Sequence, residues 1–397
     1  MRVFWFTIPA HGHTNPTREV VRELCRREHE VRYYSFEEFR HDIEETGATF
    51  VPLDSELPAI DGKSERRLRK VSTTEMSVRS FEITARLDPI IASDVARLRP
   101  DIVVSDSACF WGKLSAKKHG LPLVTSTTTF AFNRESAKYL DNSASELADM
   151  VLGLPRMNHA LKKLRPLGYD VKSALDLIQN KPTDDTIVYT SRLFQPCAET
   201  FDPAHYRFVG PSIREVEPKD KSHTRPLIYS SLGTVINDRP DFYRHCIAAL
   251  AKADVDLIIS CGEAFDPDCL GHVPENVTVA HSVDQLEVLS RTSLFVTHCG
   301  MNSASEALYL GVPLLLFPQT GEERAVARRV AELGAGVYLD EHAAKHPDAL
   351  RGAILAALGD ERLVAGAARM REDLRSCPGP TGAATFIEEC ALKSRRR

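Results

Sequence analysis

At 397 residues the chain is too long for one ordinary domain of about 100–200 residues, so two or three domains are expected. Hydrophobic residues make up 43% and charged residues 26%, a balance that excludes a disordered or fibrous protein. A net charge of −5 gives no footprint for nucleic acid, nine scattered cysteines without a Cys-x-x-Cys pair indicate neither a zinc site nor a disulfide framework, and no apolar run could span a bilayer or form a signal-peptide core. A soluble, cytoplasmic protein is expected.

Short β-branched or apolar runs alternate with longer amphipathic segments, the pattern of βαβ units around parallel sheets. In the first half the runs 2–8, 30–34, 49–53, 101–105 and 121–125 read as strands, with helices near 16–27, 37–45, 74–98 and 110–118. Residues 131–181 are helical in pattern and carry no strand, which suits a lid or wall on the first domain. The polar stretch 210–224 lacks an apolar period and reads as a linker. Strands then recur at 226–231, 255–260, 277–280, 293–297, 313–317 and 336–339, each separated by a helix. These spacings predict an α/β protein with domains at 1–216 and 217–380, followed by a last helix and basic tail at 381–397. Arg395, Arg396 and Arg397 read as a solvated tail.

Doubly wound sheets place ligand-binding loops at the carboxyl ends of their strands, so the expected site is a cleft between two such domains. After the first strand, the segment from Pro9 to Pro16 carries His11, Gly12 and His13, with Asn15 as expected N-cap and Pro16 as first helical residue. His13 has the position of a general base, and His11 is a nearby substitute. Asp106 ends the fourth strand at the same edge and could touch His13. A carboxylate on one ring nitrogen fixes the tautomer and leaves the other to take a proton from a hydroxyl. The competing reading of Asp106 is a helix cap. Ser107 beside this pair invites a Ser-His-Asp hydrolase, but the Gly-x-Ser-x-Gly elbow is missing.

In the second half, Ser230-Ser231-Leu232-Gly233-Thr234 offers hydroxyls and a pliant backbone to phosphate oxygens. The run from Thr297 to Leu308, with His298, Gly300, Asn302, Ser303 and Glu306, reads as strand end, turn and helix start, an anion site suited to a diphosphate. Ser303 and Glu306 also match a capping box. Gln319, Glu322 and Glu323 follow the next strand, where acceptors would suit sugar hydroxyls; the competing reading is that the acids stabilise a helix start. Asp254 and Asp256 match a metal-holding Asp-x-Asp pattern but lie at the amino end of a strand, away from the expected site. No Gly-x-Gly-x-x-Gly joins a first strand to its helix in either half, which excludes a dinucleotide fold of that type.

The segments Ala10 to Pro16, Ser231 to Thr234 and His298 to Leu308, with Gly311-Val312-Pro313, resemble the GT-B glycosyltransferases of the macrolide-modifying and UDP-glycosyltransferase group over nearly the whole chain. The resemblance implies two Rossmann-like domains facing a central cleft, with room for the C-terminal helix to cross back to the first. It implies that His13 deprotonates the acceptor hydroxyl with support from Asp106, giving inversion at the sugar. It further implies that His298, with Ser303, Ser231 and Thr234, holds the diphosphate, that Glu306 binds the ribose, and that no metal or other cofactor takes part. Gly233, Gly300 and Asn302 belong to the same donor-binding loops. Ser282 stands where many relatives carry a base-stacking tryptophan, so the expectation is either a donor that carries thymine or a base bound through the backbone near Val283. Glu322 and Glu323 align with the Asp-Gln pair that contacts the transferred sugar.

These readings make the chain a sugar transferase using a UDP- or TDP-sugar, with a small hydroxylated, lipophilic natural product as acceptor. The acceptor is expected against Phe110, Trp111, Phe130, Phe132 and the helical insert, although aromatic residues there also suit a core. The alternatives are a sugar-nucleotide epimerase of the same fold and a non-catalytic auxiliary protein that activates a partner enzyme.

Overall fold

In the computed structural model the described residues are 1–54, 72–140, 144–170, 172–174, 182–217, 219, 225–233, 237–262 and 265–395. Thr234, Arg396 and Arg397, together with most of the linker between 218 and 224, lie outside them, so the readings made there are not placed. The chain forms two compact units. Met1–Lys138, Asn142–Ser212 and Pro378–Arg397 make the first, and Tyr139–Asp141 with Ile213–Cys377 the second. The divisions therefore fall at 212/213 and 377/378, where the sequence reading put them at 216/217 and 380/381.

The first unit is built on a seven-stranded sheet in the order β3-β2-β1-β4-β5-β6-β7, every neighbouring pair parallel. Its strands are β1 (Arg2–Phe6), β2 (Glu30–Ser35), β3 (Thr49–Pro52), β4 (Ile102–Asp106), β5 (Leu123–Thr127), β6 (Thr186–Val188) and β7 (Tyr206–Phe208). β1 is Arg-Val-Phe-Trp-Phe with its last four side chains buried, as a parallel strand covered on both faces requires. The strand order reverses between β1 and β4, which brings the loops after these two strands together. β6 and β7 are absent from the sequence reading, since three residues are too few to show a period.

Helix Thr73–Leu98 starts where the Ser72 side chain accepts the Glu75 N–H and stops at Arg99, which takes left-handed geometry at φ 49°. The last helix, Gly379–Arg395, is part of the first unit and not a separate body. Its Ala383, Ala384, Phe386, Ile387 and Cys390 join the core formed by β1, β2 and β4. Arg27 and His29 both reach Glu388 on this helix, at 2.8 and 2.7 Å.

The second unit holds a six-stranded parallel sheet, β10-β9-β8-β11-β12-β13. Its strands are β8 (Leu227–Ser231), β9 (Asp256–Ser260), β10 (Val277–Ala280), β11 (Leu294–Thr297), β12 (Leu314–Leu316) and β13 (Gly336–Tyr338). Here the order reverses between β8 and β11. Ser231 ends one of those strands, and Thr297, just before His298, ends the other. Among the described residues no helix is long and apolar enough to cross a membrane.

Candidate active site

In the first unit β1 leads through Thr7 to Ala10, whose extended backbone (φ −151°, ψ 132°) opens a short helix, His11–Thr14. A 3-10 turn, Asn15–Thr17, continues it into helix Arg18–Arg26. The expected cap at Asn15 is corrected: Asn15 is already helical, and Pro16 is accommodated in the opening of the 3-10 turn, where its missing N–H costs little. His13 consequently sits within the first helical turn after β1.

Asp106, the last residue of β4, is fully buried, whereas the His13 side chain keeps 28% of its surface open. Asp106 Oδ2 lies 2.8 Å from His13 Nδ1, and Oδ1 accepts the Ala108 N–H at 2.7 Å. The carboxylate thus closes the turn after β4 and faces the imidazole at once, and the helix-cap reading of Asp106 is corrected, since helix Phe110–Lys118 starts from Cys109 with no side-chain cap. His11 is exposed and places its ring edge-on to Phe39 at 5.0 Å. Ser107 is held through its backbone N–H to the Ser126 carbonyl. Beneath the pair lies a layer of buried hydroxyls, with Tyr33 against Thr17 at 2.7 Å and Tyr189 against Ser126 at 3.0 Å. Burial pushes both phenols up, and the nearby Asp106 charge adds to this.

The expected acceptor residues separate. Trp111 and Phe130 are only 2% and 1% exposed, so they are corrected from acceptor surface to interior. Trp111 belongs to the sheet core, and Phe130 packs edge-on against Phe194 at 5.3 Å. Phe110 stacks on Phe81 in a smaller cluster with helix Ala144–Lys162, and Phe132 stays partly open.

In the second unit His298 follows β11, and its ring lies between two glycines. A Cβ on Gly233 would come 2.6 Å from His298 Nε2, and one on Gly300 2.5 Å, so neither position tolerates a side chain with the ring in place. Gly233 also holds φ +80°. Burial keeps the imidazole below its usual pKa against a weaker pull from Glu323, so the ring is neutral near pH 7 and offers a single N–H. Gly300 is the N-cap of helix Met301–Tyr309 and, having no side chain, brings no side-chain cap to the helix start.

The capping box expected of Ser303 and Glu306 does not form, because the helix already starts at Met301 and both side chains turn to Gln285. Gln285 Nε2 donates to Glu306 Oε2 at 2.6 Å and to Ser303 Oγ at 3.3 Å, and Gln285 Oε1 accepts from Tyr229. Burial pushes the Glu306 carboxyl up to about 7, with the Asp284 charge adding and the Gln285 bond opposing. Gln285 was missed as a site residue; its only trace in the sequence is the stretch from Ser282 that also contains Val283. Val283 precedes helix Gln285–Arg291, whose N-cap Asp284 accepts the Glu287 N–H.

A capping box does occur on the next helix, Gly321–Glu332. Thr320 Oγ1 accepts the Glu323 N–H, and Glu323 Oε2 accepts from the N–H groups of Thr320 and Gln319 at 3.0 and 2.6 Å. The competing reading of Glu323 is thus met by Oε2, which serves the helix start. Glu322 is exposed beside it. Asp254 and Asp256 pair with Arg225 at 3.1 and 3.4 Å, and among the described residues no group of three His, Cys, Asp or Glu could hold a metal ion.

Residues 244–390 match the family described as erythromycin biosynthesis protein CIII-like, C-terminal domain. The chain is 34% identical to the NDP-glycosyltransferase YjiC of Bacillus subtilis (strain 168), over 98% of this chain and 96% of that one. It is 33% identical to the demethyllactenocin mycarosyltransferase of Streptomyces fradiae, over 97% and 86%. The chain belongs to the GT-B glycosyltransferases. Solved structures agree: the glycosyltransferase of kitacinnamycin superposes with a TM-score of 0.83 at 26% identity, covering 98% of both chains. A calicheamicin glycosyltransferase gives 0.80 at 27%, again over 98% of both. In this glycosyltransferase, each unit gathers its candidate residues where its own strand order reverses.

Proposed function

We propose that this glycosyltransferase is an inverting, metal-independent enzyme that moves a sugar from a UDP- or TDP-linked donor to a hydroxyl of a lipophilic small molecule. The observation that carries the reading is the 2.8 Å contact between half-open His13 and buried Asp106. With Nδ1–H donated to the carboxylate, the basic lone pair is on Nε2. Nε2 removes the acceptor O–H proton as the oxygen attacks the anomeric carbon. The bond from that carbon to the diphosphate oxygen breaks, its electron pair leaves with the nucleotide, and the configuration inverts. Asp106 stabilises the imidazolium that results.

The leaving diphosphate is suited to the N–H groups opening helix Met301–Tyr309, to Ser231 and to the neutral His298, an arrangement that supports departure without a metal. Glu306, held by Gln285, suits the ribose hydroxyls. The similarity to an NDP-glycosyltransferase and to a demethyllactenocin mycarosyltransferase supports a nucleotide sugar as donor and a natural product as acceptor.

The test is incubation with panels of UDP- and TDP-sugars and hydroxylated aromatic or macrolide acceptors, with products followed by mass, for the wild type and His13→Ala. We expect conjugates with a single added sugar, an inverted anomeric centre by NMR, an unchanged rate in EDTA, and a loss in His13→Ala of roughly 10²-fold or more with nucleotide affinity retained. Free sugar without conjugate would point instead to an epimerase-like or hydrolytic reaction. An equal loss of nucleotide binding in His13→Ala would contradict the division of labour.

A further inference from the structure

Thr128 stands one residue past β5, the strand that pairs with β4. The register sets Asp106 directly against Ser126, so strand alternation returns Thr128 to the face of the sheet that carries Asp106. The side chain is buried, and its Oγ1 lies 3.3 Å from His13 Nδ1, the same nitrogen that meets Asp106 Oδ2 at 2.8 Å. One ring nitrogen thus has two oxygens within reach, contributed by the ends of neighbouring strands.

Nδ1 can carry one hydrogen or one lone pair. If it carried the lone pair, Thr128 could donate its O–H to it, but a carboxylate oxygen would then face that lone pair at 2.8 Å with no hydrogen between them. The charge-assisted bond to Asp106 prevails, and the proton sits on Nδ1. Thr128 Oγ1 then accepts the weaker arm of a forked bond. A second oxygen, on the neighbouring strand end, adds a contact out of line with Asp106 and so helps to fix the ring plane.

We propose that Thr128 is a positioning residue for the His13 base, acting with Asp106 to hold the ring in the Nδ1–H tautomer and in one plane. This rests on the reading of His13 as the base. Thr128→Val keeps the side-chain shape and removes the oxygen, and Thr128→Ser keeps the oxygen. Protein labelled with ¹⁵N-histidine, with His13 assigned by difference from His13→Gln, reports the ring tautomer at a pH where it is neutral, without any substrate.

In the wild type and Thr128→Ser the spectrum should show Nδ1–H with one sharp ring environment, and in Thr128→Val the proton should stay on Nδ1 through Asp106 while the His13 ring signals shift and broaden as the plane loosens. Under transfer conditions Thr128→Val should lose about fivefold in kcat, the worth of one neutral hydrogen bond, with donor KM and the ranking of donor sugars unchanged and Thr128→Ser within about twofold of wild type. An unmoved ring spectrum in a folded Thr128→Val, or an Nε2–H wild type, would overturn the proposal. So would a changed sugar ranking with the ring unmoved, which would make Thr128 a donor contact. If the ring behaves as expected while no donor yields product, the positioning stands and sugar transfer is what fails.

Discussion

Cys299 holds a left-handed backbone at φ 68° between His298 and Gly300, a geometry that non-glycine residues seldom adopt. It is fully buried, and its N–H reaches Thr297 Oγ1 at 3.2 Å, so the surrounding bonds impose the bend that turns the chain from β11 into the helix. The glycine after it is the more sensitive position. Gly300→Ala would drive a Cβ to 2.5 Å from His298 Nε2, so the ring must shift away. We expect donor KM to rise on the order of tenfold while the His13 ring spectrum stays as in the wild type, a pairing that steady-state kinetics and NMR can check. Glu306 gives a second test, through pH. Its folded pKa of about 7 lies above the ordinary 4.5, so between those values the folded state binds more protons than the unfolded one. Its contribution is therefore full below pH 4.5 and lost as pH rises through 7. Glu306→Gln can still accept from Gln285 and avoids burying the charge, so it should gain stability relative to wild type as pH rises from 5 to 8, by roughly 2–3 kcal/mol. Urea melts at the two pH values read this directly, and a constant difference would refute it.

At the scale of elements, the legible parts were those whose pattern is local. β1, β4, β8 and β11 are buried runs of β-branched and aromatic residues, and each is followed by its glycine, histidine or acid, so His13, Asp106 and His298 could be placed at strand ends before any coordinates. The Gln285 to Glu306 bond joins residues 21 apart through the order of strands, and no local spacing announces it. The same limit applied to caps. Thr320 with Glu323 and Ser303 with Glu306 have identical spacing, yet only the first closes as a box, because the second helix already begins at Met301. Thr320→Ala should cost about 1 kcal/mol in a urea melt, while Ser303→Ala should cost less than half of that. The last helix is a larger case. It lends Phe386 and Ile387 to the first core, so a chain ended at residue 377 exposes that core, and we expect it to bind ANS and lose the cooperative melt of the full chain.

For the whole molecule, the proposed donor site predicts a ligand-linked stability. UDP or TDP at 100 times its Kd should stabilise whatever unfolds with the second unit by about 2.7 kcal/mol, visible as a rise in Tm. His13→Ala should show the same rise, since the base belongs to the first unit, and its loss there would argue against separate roles. Ordinary sugars without a nucleotide should leave Tm in place.

The chain's path adds one consequence. Residues Ile213–Cys377 are threaded between two portions of the first unit, whose closing helix is encoded after them. During synthesis the ribosome therefore releases everything required for the later-encoded lobe before it releases the final piece of the earlier one. The earlier-encoded unit is thus completed after the later-encoded one, and until then the part of its core that takes Phe386 and Ile387 stays uncovered.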